Sequence, residues 1–179
     1  MEPFRGQRSK EKSEYFKRFG HPALADVYKN QFFALFNYQC FKCGAKEKNY
    51  QEYGSPPVLC INCHIPIGLG GHFIPGNLVS LCRICNSKKQ AYHPEKFYSL
   101  EELNKLKPIL DKQGGILDFV FDWDHWHRDP GGYLLQHGVD SKLIHEILNN
   151  PDHPYYIGSQ DSGLEIFISL DVNRKGVYD

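Results

Sequence analysis

The chain has 179 residues, room for one ordinary domain or for a small module with substantial extensions. Hydrophobic residues at 41% and aromatics at 14% allow a packed core and argue against wholesale disorder. Net charge is zero, no apolar run approaches the ~20 residues that span a bilayer, and Met1 to Lys12 lacks the apolar stretch of a signal peptide. The expected address is therefore the cytoplasm, with no membrane partner.

Met1 to Arg18 reads as a charged arm, loose at its start. A helix is predicted from Pro22 to about Asn37, with Pro at its first position and Leu24, Val27, Tyr28, Leu35 and Phe36 at helical spacing. Cys40 to Gly44 reads as a knuckle turn, and Lys46 to Pro57 as a polar loop. Val58 to Ile67 reads as a short buried strand, Gly68 to Gly76 as a glycine-rich turn, and Leu78 to Leu81 as a second strand. The next helix is predicted from near Cys82 to before Pro94, with His93 closing it. Ser99 and Glu102 form a capping box for another helix, which Pro108 would kink or shorten. Gly114-Gly115 reads as the clearest boundary. Beyond it lie an aromatic segment (Phe119, Phe121, Trp123, Trp126), a helix capped by Asp140 with Leu143, Ile144, Ile147 and Leu148 inward, and an alternating strand from Leu164 to Leu170.

Charge is unevenly spread. Residues 1–112 hold 17 Lys/Arg against 10 Asp/Glu, a balance of +7, and residues 113–179 hold 4 against 11, a balance of −7. A split of this size suggests a basic part that faces phosphate. Arg83, Lys88, Lys89 and the stretch Arg5 to Arg18 are the candidate contacts. The acidic part is expected to pack on the module or to bind a protein, either a partner or a second copy of the chain.

The six cysteines form three CxxC pairs, Cys40/Cys43, Cys60/Cys63 and Cys82/Cys85. Inside a cell such pairs read as metal ligands rather than disulfides. A structural Zn²⁺ needs four ligands in a tetrahedron, and two CxxC turns supply them. Cys40, Cys43, Cys82 and Cys85 bracket both strands, and a unit this small needs the stability a metal adds. Cys60 and Cys63 fall within a strand and read as ordinary buried thiols. His72 reads as a loop residue, and His125, His127, Asp122 and Asp124, interleaved with Trp123 and Trp126, as a packed aromatic face.

The stretch CINCHIPIGLGGHFIPGNLVSLCRICNSKK, Cys60 to Lys89, resembles the HNH endonuclease motif. Pro66, Gly70-Gly71, Asn77-Leu78-Val79, Leu81-Cys82, Cys85-Asn86 and Lys88 match it in order, over about a third of the chain. The resemblance implies an α+β chain with a ββα-metal module over 40–93, preceded by a basic arm and helix over 1–39. A helical and then acidic α/β extension would follow over 94–179. It further implies a catalytic Mg²⁺ or Mn²⁺ beside the structural zinc. A His base would activate water for phosphodiester hydrolysis, Asn86 would contact the metal, and Asn77 would orient the His and pin the loop.

The chain departs from the motif at its centre. Three residues before Pro66 the family has His, and here stands Cys63; the Asp before it is Asn62; His64 lies one step on. In one register Cys63 and Asn62 hold the base and ligand positions, and strand alternation turns His64 away. In the other a bulge shifts the strand and His64 enters. The leading expectation is an endonuclease cutting DNA, from a restriction, mobile-element or phage-related setting, with His64 as base and a degenerate site. The alternatives are a non-cutting HNH-fold protein that binds nucleic acid or a protein, and an unrelated zinc-ribbon adaptor.

Overall fold

The computed structural model describes residues 5–46 and 58–158. It is a mixed α+β chain of eight α-helices, one short 3₁₀ turn and one two-stranded sheet among those residues. The strand expected over Leu164 to Leu170 and most of the loop expected over Lys46 to Pro57 lie outside them. No described helix is long and apolar enough to cross a membrane.

The chain divides into two compact units. One takes in the residues up to Tyr15 and the chain from Gln31 to Asp118; the other takes in Phe16–Asn30 and the chain from Phe119 onward. The charged N-terminus is not a loose arm throughout, since helix α1 spans Arg5–Lys17. Helix α2, Pro22–Leu35, starts at its proline as the sequence implies. It gives way to two left-handed residues, Asn37 and Tyr38.

In the first unit β1 (Leu59–Cys63) pairs antiparallel with β2 (Leu78–Cys82) in an unbroken register from Leu59 opposite Cys82 to Cys63 opposite Leu78. The first strand is shorter than expected. At Ile65 the side-chain amide of Asn77 takes over both backbone groups, accepting from the Ile65 N–H at 2.8 Å and donating to its carbonyl at 3.0 Å. Pro66 then offers no donor to a ladder. All five residues of β2 are buried, so both faces of the sheet are covered.

Helix α3 (Arg83–Lys89) follows β2 at once and ends earlier than expected; His93 instead precedes a one-turn helix, α4 (Pro94–Phe97). Helix α5 (Leu100–Leu117) opens on the Ser99–Glu102 capping box and runs through Pro108 and through Gly114-Gly115, so the glycine pair is not a boundary. Burial of Leu106, Gln113 and Leu117 along α5 outweighs a cost of about 1 kcal/mol per glycine.

The second unit is helical where described. Helices α6 (Trp123–Arg128), α7 (Pro130–Gln136) and α8 (Ser141–Asn149) are short, and each is capped by an aspartate: Asp122, Asp129 and Asp140. Its core is aromatic. Phe19 stacks on Phe119 with centroids 5.0 Å apart, Phe121 meets Tyr133 at 5.1 Å, and Trp126 is 3% exposed. Of the residues expected to form a packed aromatic face, Trp126 is buried and His125 meets Tyr133 at 5.1 Å, whereas Asp122 caps α6 and Trp123, Asp124 and His127 are exposed. Leu148 is exposed, unlike Ile144 and Ile147.

Candidate metal centre

The 40–43 turn is shaped by its own backbone. The Cys40 N–H donates to the Ala45 carbonyl at 2.8 Å, the Gly44 N–H to the Cys40 carbonyl at 2.8 Å, and the Phe41 N–H to the Ser80 carbonyl at 2.9 Å. The last bond lays the turn on β2, beside its final residue, Cys82. Cys82 is also the N-cap of α3, its sulfur accepting from the Cys85 N–H at 3.4 Å.

The four sulfurs of Cys40, Cys43, Cys82 and Cys85 consequently lie within 4.8 Å of one another. Cys43 Sγ and Cys82 Sγ are 3.7 Å apart, close to the ~3.8 Å edge of a tetrahedron with Zn–S bonds of ~2.3 Å. Burial pushes the Cys40 and Cys85 thiols up, while the Ala45 backbone N–H holds Cys43 down. Four thiolates at this spacing repel one another, and a dication at their centre cancels that repulsion. The cluster can hold a metal such as zinc.

Cys60 and Cys63 stay outside the cluster. Cys60 Sγ donates to the Leu81 carbonyl at 3.1 Å, and Cys63 Sγ faces the His72 carbonyl at 3.8 Å. His72 is an exposed loop residue, its imidazole 3.7 Å from Glu11.

A second group of side chains lies between β1 and α3. Asn62 Nδ2 donates to Asn86 Oδ1, and Asn62 Oδ1 accepts from the Cys63 N–H at 2.8 Å. His64 lies one residue beyond the end of β1. Its ring lies 5.8 Å from that of Tyr98, and it feels the charges of Lys89 and His93. Burial first, and those two charges next, push its imidazole down to about 4. Asn62 and Asn86 thus meet between β1 and α3, the register runs without a bulge to Cys63, and Cys63 faces the loop.

Asn77 pins the 65–72 loop: besides its two bonds to Ile65 it donates to the His72 carbonyl at 2.8 Å. Gly71 is required there because a Cβ would overlap the Ile65 carbonyl oxygen. Arg83 and Lys88 are exposed on α3, whereas Lys89 is buried at 1% exposure and offers no surface contact of the kind expected of it.

Three supporting residues have no signature in the sequence. Gln113 is fully buried and holds the start of β2, accepting from the Gly76 and Leu78 N–H groups at 2.8 and 3.2 Å and donating to the Leu78 carbonyl at 2.6 Å. Lys42, inside the first CxxC, pairs with Glu102 at 2.6 Å. Tyr98 packs edge-on against Phe41 at 5.7 Å, so its ring touches both the cysteine turn and His64. Comparison with protein-family models, with curated proteins and with solved structures finds no match to this chain.

Proposed function

We propose that the chain is a DNA-acting protein of the HNH nuclease type, with its module over residues 40–93. What supports this most is the meeting of the Asn62 and Asn86 side chains between β1 and α3, with His64 just beyond the end of β1. Asn62 and Asn86 are positions the motif reserves for metal ligands, and His64 stands one residue past its base position, which Cys63 fills. A neutral His64 imidazole can accept a proton from an attacking water. Asn77 holds the adjoining loop, and Arg83 and Lys88, exposed on α3, are the side chains this reading assigns to phosphate. The cysteine-bound metal has a structural part only.

The residues fit the motif's catalytic Mg²⁺ or Mn²⁺ poorly. Such ions want hard oxygen ligands, with at least one carboxylate. Here both candidate oxygens belong to neutral amides, and both already accept a hydrogen bond. That observation favours a second reading, an HNH-fold protein that binds DNA without cutting it.

Nicking of supercoiled plasmid in Mg²⁺ or Mn²⁺ separates the two. The endonuclease reading expects relaxed circles that His64→Ala abolishes. The binding reading expects intact plasmid, with cutting only after Asn62→Asp restores a carboxylate ligand. Under both readings DNA binding weakens steeply with salt, and Arg83→Ala or Lys88→Ala flattens that slope by roughly one unit each. A chain that ignores DNA at every salt concentration removes both.

A further inference from the structure

We infer that Cys43 is a modification site: a hydroperoxide oxidises its thiolate first, Cys82 closes a disulfide with it, and the bound metal is released. The inference depends on the cysteine centre and not on the HNH-type reading.

A metal held by Cys40, Cys43, Cys82 and Cys85 keeps all four as thiolates, and the thiolate is the form that oxidants attack. Ligation makes the four alike, and access separates them. Cys40, Cys82 and Cys85 are buried, at 1%, 5% and 7% exposure, whereas Cys43 is exposed. The fold explains the difference. Cys40 opens the turn with its N–H on the Ala45 carbonyl, Cys82 ends a wholly buried strand, and Cys85 lies in the first turn of α3. Cys43 sits where the turn reverses, next to the left-handed Gly44. A partner for a disulfide is in place. Cys82 Sγ lies 3.7 Å from Cys43 Sγ, and the Phe41 N–H bond to the Ser80 carbonyl at 2.9 Å holds the turn against β2. The two sulfurs need close by only about 1.7 Å to reach the ~2.05 Å of a disulfide.

The steps balance. The Cys43 thiolate attacks one peroxide oxygen; an S–O bond forms, the O–O bond breaks, and the departing hydroxide or alkoxide takes a proton from solvent. The Cys82 thiolate then attacks the Cys43 sulfur; an S–S bond forms, and the S–O bond breaks with loss of hydroxide, which solvent protonates to water. The two sulfurs give up two electrons, and the peroxide receives them. Cys40 and Cys85 remain, and two ligands do not hold a structural zinc.

The test uses the full chain with its cysteine site loaded with zinc. Hydrogen peroxide is added, zinc release is followed with a colorimetric chelator, and disulfides are mapped by mass spectrometry of unreduced peptides. The wild type should release its zinc and yield a bridge between Cys43 and Cys82, and dithiothreitol with fresh zinc should restore the loaded form. Cys43→His keeps four ligands, since three cysteines and a histidine also hold structural zinc, but puts an imidazole that peroxide does not couple to a thiol at the exposed position. It should release zinc at least about tenfold more slowly. A brief pulse of N-ethylmaleimide on the loaded wild type should label Cys43 ahead of Cys40, Cys82 and Cys85. Equal labelling of the four overturns the inference even if Cys43→His does not fold. Zinc retained through the peroxide treatment overturns it, as does a bridge that leaves out Cys43 or Cys82. A chain that takes up no zinc removes it at the start.

Discussion

The two units of this chain reach order by different means. The first has a two-stranded sheet of five residues a side and an irregular turn between α2 and β1, and it gathers four cysteines at the junction of turn, strand and helix. The second shows no such cluster among the described residues. It relies on stacked rings and on aspartates that cap helices of six, seven and nine residues. A metal can fix irregular backbone whose core is too small to hold it; short helices need their first-turn N–H groups bonded and one large apolar face covered. The contrast also bears on charge. Asp122, Asp129 and Asp140 belong to the acidic part of the sequence, and each has a structural task at a helix N-terminus, where negative charge is favoured.

The comparison breaks most visibly at the metal. One zinc per chain is expected by elemental analysis. Its removal, or Cys82→Ser, should unfold the first unit, because zinc in such sites contributes on the order of 10 kcal/mol to folding. Both tryptophans, Trp123 and Trp126, lie in the second unit. Their fluorescence should therefore stay near native while far-ultraviolet circular dichroism falls. Two zincs, or none, would remove the assignment; a Trp signal lost together with the zinc would show that the second unit is not stable by itself.

Acid should act on the second unit through a buried histidine. His21 is fully buried, its Nδ1 accepting from the Ala23 N–H at 3.2 Å and its Nε2 lying 3.1 Å from the Tyr155 carbonyl. Nearby, the Tyr155 hydroxyl donates to Asp26 at 2.8 Å and the Tyr155 N–H to His153 at 3.0 Å. Burial lowers His21 from 6.5 to about 4, against smaller raising effects of the Tyr155 carbonyl and Asp26. The unfolded chain therefore takes up this proton before the folded one does. The contribution is complete above pH 6.5 and is lost as pH falls toward 4, in total about 3 kcal/mol. Melting followed by Trp fluorescence between about pH 7 and 4 should show the loss, and His21→Gln should flatten it. An unchanged acid limb in that variant would place the sensitive group elsewhere.

In the first unit a single buried amide matters next. Gln113→Ala strips three hydrogen bonds from the backbone of Gly76 and Leu78. Leaving those groups unpaired costs roughly 1–3 kcal/mol. Zinc content should not change, since no cysteine is touched. A Gln113→Ala protein that loses its zinc would make the cysteine cluster dependent on the start of β2, not only on its end.

The cysteine cluster was legible in the sequence because, of three CxxC pairs, Cys40/Cys43 and Cys82/Cys85 bracket both strands while Cys60/Cys63 falls inside one. Asn77 and Gly71 were legible through the motif, and the structure gives each a local task. Gln113 was not: a glutamine on an amphipathic helix looks like surface until the strand it holds is in place. Nor was Lys89 readable, because a Lys-Lys pair closing a helix ordinarily points to water and nothing local marks one of the two as buried. The glycines at 114 and 115 misled for the complementary reason. Propensity argued for a break, and burial on either side of them overrode it.

Helix caps give the smallest effects and the finest comparison. Ser99→Ala removes a side chain that accepts from the Glu102 N–H at 3.2 Å, and Asp140→Ala removes one that accepts from the Lys142 and Leu143 N–H groups at 2.9 and 3.3 Å. Each should cost about 1 kcal/mol, read as a shift in the denaturation midpoint of its own unit. The two sites differ in what stands behind them. Glu102 not only completes the capping box, accepting from the Ser99 N–H at 2.7 Å, but also pairs with Lys42 between the first two cysteines. Glu102→Ala should therefore cost more than Ser99→Ala, by a few tenths of a kcal/mol for a partly exposed ion pair. It should also speed zinc loss to a chelator, because the 40–43 turn loses its tie to α5. Asp140→Ala should leave that rate unchanged. Equal zinc-loss rates for Glu102→Ala and wild type would show that the backbone bonds of the turn hold the metal without help from the helix.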